Sequence, residues 1–233
     1  MNLVRKGHRK SHRGIIGVES AIVMIAFVIV AAALAFVVLN MGFSTTQKAK
    51  TTIVSSLGEA SSSLEVAGKV IAIGDTTLSN LRVVSVPIKV ASGGDSINLQ
   101  NTTASIKYMS NSREYDNIYS SALSGSAFST YANVTLAFAA ANSNLAHFDN
   151  GNPVTAAANA PDNTKAIIFW SVRTNTNAIL DQGEHANVAI AYRIEDKPAA
   201  LDKVKIEIVV PTGAALTVER QVPPITTSVV DLG

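Results

Sequence analysis

Polar and apolar positions along this chain fall into two textures that meet near residue 68. Over 21–39, nineteen consecutive positions are drawn only from Ala, Val, Ile, Leu, Met and Phe. As a helix rising ~1.5 Å per residue this run is about 28 Å long, close to the ~30 Å hydrocarbon layer of a bilayer. It is long enough to span a membrane. Past Asn40 the pattern turns amphipathic. Ala49, Ile53, Leu57, Ala60 and Leu64 are spaced four, four, three and four apart on one face, while Lys48, Lys50, Ser55, Ser56 and Glu59 lie off it. Together the two parts predict one nearly continuous helix over 16–67, roughly 78 Å long, with Gly42 and Gly58 as its weak points. No monomer buries such a helix alone, whereas a bundle of identical helices does. The side chains expected in that bundle are Ile22, Ile25, Phe27, Ile29, Leu34, Phe36, Leu39, Ile53, Leu57 and Leu64. The alanines at 31–33 permit close helix approach. The competing reading is an anchor that stays in lipid with a stalk above it.

After Gly68 the helical period disappears. Short β-prone runs at 69–73, 81–90, 104–109, 134–139, 166–172, 188–194, 204–210 and 215–222 are separated by Gly, Asn, Asp, Ser and Pro. Residues 204–208, Val-Lys-Ile-Glu-Ile, alternate cleanly, so one face is buried and the other wet, and Pro211-Thr212-Gly213 turns the chain into the next strand. About eight strands of this kind argue for an antiparallel β-sandwich. The fold class is therefore α+β: a long N-terminal apolar helix, then a sandwich over 68–233. Residues 110–165, rich in Ser, Asn and Ala, are open to two readings, a long insertion or a segment whose 136–141 stretch is a short helix rather than a strand.

Charge alters the picture at the N-terminus. Arg5, Lys6, Arg9, Lys10 and Arg13 stand before the apolar run with no acidic residue among them, and a flank of that kind stays on the cytoplasmic side. Everything beyond Leu39 is expected outside. In an ordinary secretory signal the small-residue cleavage site follows the apolar region. Here nothing resembling Ala-x-Ala separates Leu39 from Ser44-Thr45-Thr46, and the plausible processing site, Arg13-Gly14, precedes the run. Cleavage between Gly14 and Ile15 leaves 219 residues and keeps the helix as the mature N-terminus. The whole chain has formal charge +2, of which the leader supplies +5, so the remainder carries −3. No basic stripe survives for a nucleic-acid partner. With no cysteine there is no disulfide framework, thiol nucleophile or cysteine-ligated zinc.

The head of the chain resembles the class III signal peptide of archaeal flagellins (archaellins) and, more broadly, of type IV pilin-like proteins. The resemblance rests on the basic leader, the Arg13-Gly14 cut, Gly17 at the third mature position and Glu19 at the fifth. It continues through Gly17-Val18-Glu19-Ser20-Ala21-Ile22-Val23-Met24-Ile25-Ala26-Phe27-Val28, through Asn40-Met41-Gly42-Phe43, and into Thr46-Gln47-Lys48-Ala49-Lys50. The far end is also similar to archaellins, in Val222-Pro223-Pro224-Ile225 and in Val229-Val230-Asp231-Leu232-Gly233. The middle carries no family motif.

Several expectations follow from the resemblance. The sandwich is immunoglobulin-like. Residues 1–14 are removed by a membrane-embedded prepilin-type signal peptidase that recognises Arg13 and Gly17. The subunit passes from the membrane into an extracellular homopolymer, or one shared with closely related archaellins, through a membrane-embedded assembly and motor complex that turns the filament. Glu19 meets a mature N-terminal amine during subunit docking. From the residues alone, a second reading of Glu19 stands beside that one, a carboxylate at headgroup level. The triplets Asn101-Thr102-Thr103 and Asn133-Val134-Thr135 are acceptor sites for N-glycosylation, a modification common in archaellins.

Elsewhere candidate chemistry is sparse. His8 and His12 belong to the leader, and His147 and His185 are isolated, with no triad-like or His-x-x-x-His arrangement. Asp149-Asn150-Gly151-Asn152 has the oxygen-rich character of a calcium loop but lacks its further acidic ligands, and reads as a plain turn. Trp170 reads as core. No cofactor, metal or catalytic residue is expected. The alternatives are an adhesive pilin of the same architecture, a membrane-anchored binding module, and, least favoured, an extracellular enzyme.

Overall fold

The computed structural model describes residues 13–61, 64–125 and 128–233, with side chains of the long helix placed over 17–57. The expected leader through His12 lies outside the described residues. Helix α1 runs 49 residues, Arg13–Ser61, about 74 Å at ~1.5 Å per residue. Ala, Leu and Met favour the helix, and neither Gly17 nor Gly42 interrupts it. Above the apolar run the hydroxyls of Thr45, Thr46, Thr51 and Thr52 donate to the carbonyls four residues back at 2.8, 2.8, 2.9 and 2.9 Å. These polar side chains are thereby satisfied by their own helix.

The second unit is a β-domain with its own core. Its strands are β1 (Leu64–Val66), β2 (Ile71–Asp75), β3 (Asn80–Val90), β4 (Ile97–Asn98), β5 (Ser105–Ser110), β6 (Glu114–Tyr115) and β7 (Tyr119–Ala122). After helix α2 (Val134–Asn144) come β8 (Lys165–Val172), β9 (Ile179–Leu180), β10 (His185–Ala191), β11 (Lys203–Val209), β12 (Leu216–Gln221) and β13 (Val229–Asp231). A seven-stranded sheet runs β13-β2-β3-β10-β8-β7 with β1 added on β3, and a four-stranded sheet runs β12-β11-β5-β6. All described pairings are antiparallel except β7 with β8.

Burial along the strands tells how the layers stack. In β5 and β11 buried and wetter positions alternate, so one face of the four-stranded sheet meets the core. In β8 five consecutive residues, Ala166 to Trp170, are buried, and in β10 four are, as expected of strands covered on both faces. One face of the large sheet contributes Val86, Ile88, Ile168, Trp170, Val188 and Ile190 to the sandwich interior, against Ile106, Tyr108, Ile206 and Ile208. The other contributes Val83, Ile167, Phe169, Ala189 and Ala191 to a second cluster closed by Phe138, Ala141 and Phe148. The domain is a sandwich with a helical layer added to one side.

The structure decides or shifts several expectations. Residues 134–139 form part of α2, so the short-helix reading of 136–141 holds over the strand reading. Asn133 caps the helix, its Oδ1 accepting the Leu136 N–H at 3.0 Å, and Val134, Ala137, Phe138 and Ala141 form a buried helical stripe. Leu64, assigned to the apolar face of the long helix, instead opens β1 opposite Val90 and is 6% exposed in the sandwich core. The helix ends at Ser61, so β-structure starts four residues before the expected boundary at 68. Finally, β10 ends at Ala191, three residues before the expected end at 194, because the chain turns into a 3-10 helix at Ile194–Asp196.

Candidate polymerisation surface and the outer domain

Along helix α1 every residue over 17–57 is exposed, including Ile22 at 61%, Phe27 at 71% and Phe36 at 70%. Gly17–Leu57 is long and apolar enough to cross a membrane. Ile25, Ile29, Leu34, Leu39, Ile53 and Leu57 share that surface, as do Met41, Phe43 and Val54, which the sequence reading omitted. The four-residue step from Leu39 to Phe43 is the signal that would have included Phe43. An apolar surface of this extent is far larger than a soluble monomer leaves uncovered.

Arg13, Gly14 and Ile15 lie in the first turn of α1. A Cβ placed on Gly17 would meet nothing within 4 Å. Glu19 is exposed at the edge of the apolar run that begins at Ala21. Asn101 and Asn133 are both exposed in the β-domain. The Asn101 Nδ2 donates to the Ser120 carbonyl at 2.8 Å, whereas Asn133 uses Oδ1 for the α2 cap.

Two buried carboxylates organise the loops of the outer domain. Glu184 is fully buried beside Trp170. It accepts from the indole Nε1 at 3.2 Å and from the backbone N–H of Thr174, Asn175 and Asp181 at 2.6, 3.3 and 3.2 Å. Four donors converge on one carboxylate, which compensates its loss of water. Arg173 lies over the Trp170 ring, 5.4 Å from the centroid, adding a cation–π contact. Asp196, 4% exposed, sits at the opposite end of β10. There it accepts from Thr164 and Tyr115 and pairs with Arg113.

The C-terminal stretch is woven into the fold. β13 pairs with β2, the Leu232 N–H donates to Val70 O at 2.8 Å, and the Val70 N–H donates to Gly233 O at 3.2 Å. Lys69 and Asp231 form an exposed ion pair. The Lys69 hydrogen bond, with help from the Gly233 amide, holds the Asp231 carboxyl below its ordinary range, and the same bond raises the Lys69 ammonium. Upstream, Ile225 packs against Gly74.

Among the described residues, no three His, Cys, Asp or Glu side chains gather as metal ligands. The features that do stand out are a long exposed helix with an apolar run and a β-domain with its own core. A sequence model of archaeal-type flagellin matches residues 14–220. A probable flagellin 1 of Aeropyrum pernix is 35% identical over 215 residues, 92% of this chain and 94% of that protein. The archaeal flagellum of Methanospirillum hungatei aligns in structure with a TM-score of 0.57 at 24% identity, covering 92% of this chain and 98% of that one. Archaeal flagellin FlaB1 of Methanocaldococcus jannaschii aligns with a TM-score of 0.55 at 16% identity, covering 73% and 96%. The chain belongs to the archaeal-type flagellin family. It is a structural filament subunit, not an enzyme.

Proposed function

We propose that this chain polymerises through α1 into a filament that a separate motor turns for swimming, with the β-domain facing outward. The observation that carries the reading is the complete exposure of an apolar helix whose described side chains run from 17 to 57. In this reading the precursor inserts through residues 21–39 with its basic leader on the cytoplasmic side. A membrane-embedded prepilin-type peptidase then cuts between Gly14 and Ile15, guided by Arg13 and Gly17. The mature subunit leaves the bilayer and docks onto identical or closely related copies through a membrane-embedded assembly and motor complex, with Glu19 meeting the new N-terminal amine of its own chain or a neighbour. Leaving lipid is tolerable because neighbouring helices replace the acyl chains around the same apolar surface. Asn101 and Asn133 carry N-linked glycans on the outer domain.

The test is to shear filaments from cells and measure the N-terminal sequence and intact mass of their main protein. A chain that begins at Ile15, retains residues 21–39 and carries mass lost on Asn101→Gln or Asn133→Gln supports the reading. Loss of swimming in a deletion strain, rather than loss of attachment alone, assigns the filament to motility. A protein that stays in the membrane fraction with its leader attached overturns it.

A further inference from the structure

The turn Asp149-Asn150-Gly151-Asn152 holds the one Asn-Gly pair of the chain. Asparagine is among the thermolabile residues, and glycine after it leaves the next backbone nitrogen unshielded. Once Gly151 N has given its proton to water or hydroxide, it forms a bond to Cγ of Asn150. The bond from Cγ to Nδ2 breaks, and ammonia leaves with a proton taken from water. A water molecule then opens the succinimide ring at either carbonyl, leaving aspartate or its β-linked isomer. Asparagine plus water becomes a carboxylic acid plus ammonia, with no oxidant or reductant involved.

The fold cannot avoid this pair by changing the glycine. Gly151 has φ +107°, and a Cβ on it would lie 2.9 Å from both Cγ and Nδ2 of Asn159. Asn150 is exposed, so water reaches it. Burial gives no shelter. Hydrogen bonding does: Asn150 Nδ2 donates to Ala160 O at 3.1 Å and to Asp162 Oδ1 at 3.0 Å. Both partners are acceptors, so both amide hydrogens are committed and the orientation of the amide is fixed. The Gly151 N–H itself donates to Phe148 O at 3.3 Å. The attacking nitrogen must give up a bond of its own. Beyond it, Asn152 Nδ2 donates to Thr135 O of α2 at 2.8 Å and Asn159 Nδ2 to Asn152 O at 3.1 Å, which pins the far side of the turn.

We propose that Asn150 is a site of spontaneous deamidation that the fold holds closed through the bonds from its side chain to Asp162 and Ala160. Ring closure swings Cγ onto Gly151 N and abandons both bonds. The product is disfavoured too, because its carboxylate sets acceptors against Ala160 O and places a like charge beside Asp162. Phe148, just before the turn, is 1% exposed with its ring 5.5 Å from that of Phe138. A deamidated chain therefore loses an anchor of the segment that closes the second cluster beside α2. The conversion runs one way, so its extent records how often the turn has opened.

The test uses the full-length chain in detergent solution, incubated at neutral pH and digested, with deamidation at each asparagine followed by mass spectrometry. Folded wild type is expected to convert Asn150 more slowly than the same chain in denaturant, by about tenfold or more. Asp162 is exposed, so its replacement leaves the fold in place. Asp162→Ala removes one acceptor and is expected to speed conversion in the folded chain about tenfold, the factor carried by one charge-assisted hydrogen bond. Asp149→Ala removes an equal charge beside Asn150 but touches neither bond, and is expected to convert at the wild-type rate. Equal rates in folded and denatured wild type overturn the proposal. So does an Asp162→Ala rate no faster than wild type, or one matched by Asp149→Ala.

Discussion

The phenol of Tyr115 on β6 donates a 2.8 Å hydrogen bond to the carboxylate of Asp196, in the turn after β10, joining the small sheet to the large one. Thr164 donates to the same oxygen at 2.9 Å and Arg113 Nε approaches the other at 3.2 Å. Asp196→Ala strands all three donors. Removing one partner of a buried charged network costs about 3 kcal/mol, and Tyr115→Phe, which removes one bond, about 1 kcal/mol. Chemical denaturation of the purified protein, followed by tryptophan fluorescence, checks both values and their order.

Glu184 offers a different kind of test, because its four donors are N–H groups. Glu184→Gln keeps the shape but replaces one acceptor oxygen by an NH2 that points a donor at donors. The expected loss is about 2 kcal/mol. Since Trp170 is one of the partners, its emission maximum is expected to shift as well, reporting local change in the folded state.

At Gly74 the constraint is space. An added Cβ would lie 2.6 Å from Cγ2 of Ile225 and 3.3 Å from both Cγ2 of Val230 and the Thr227 carbonyl oxygen. Gly74→Ala is expected to cost about 1–3 kcal/mol by overpacking. Combined with Ile225→Ala, it should cost less than the sum of the two changes, since the second removes the clash. Thermal melts of the two single variants and the double variant complete that cycle.

Stability at high pH is set by buried phenols. Burial pushes Tyr108 up from 10.0 to about 12, and raises Tyr119 and Tyr192 as well. The folded state then holds protons that the unfolded chain releases above pH 10, so stability falls as pH rises. This contribution is fully present below pH 10 and is lost for Tyr108 between 10 and about 12, at up to about 1.4 kcal/mol per pH unit for each tyrosine. Phenolate absorbance at 295 nm should therefore rise together with unfolding. A smooth phenolate titration near pH 10 with the fold intact would contradict the burial of these rings.

The helix and most long strands were legible in the sequence, because they depend on local periods. The uninterrupted apolar run at 21–39 and the four-three spacing beyond it require a helix. The alternation at 204–208 requires a half-buried strand, and β11 is one. Head and tail also carried the family resemblance. Residues 134–139 show where local reading falters, since a short apolar run suits either period and only the cap at Asn133 and the sheet beneath it select the helix. Leu64 continues a helical spacing on paper, yet β3 offers it a strand partner at Val90, 26 positions away.

Other features had no local signal at all. β13 is three residues long and exists because β2 presents an edge 156 positions earlier in the chain, Ile73 to Val229. Glu184 and Asp196 look like ordinary surface acids; the donors of Glu184 come from the turn 3–14 positions before it, and those of Asp196 from Tyr115 and Thr164, 81 and 32 positions away. What the sequence by itself determined is the surface that must be covered, a helix apolar all round over 21–39. What only the tertiary structure decided is how the β-domain closes, because hydrogen-bond partners for buried carboxylates and short strands are chosen across space, not along the chain.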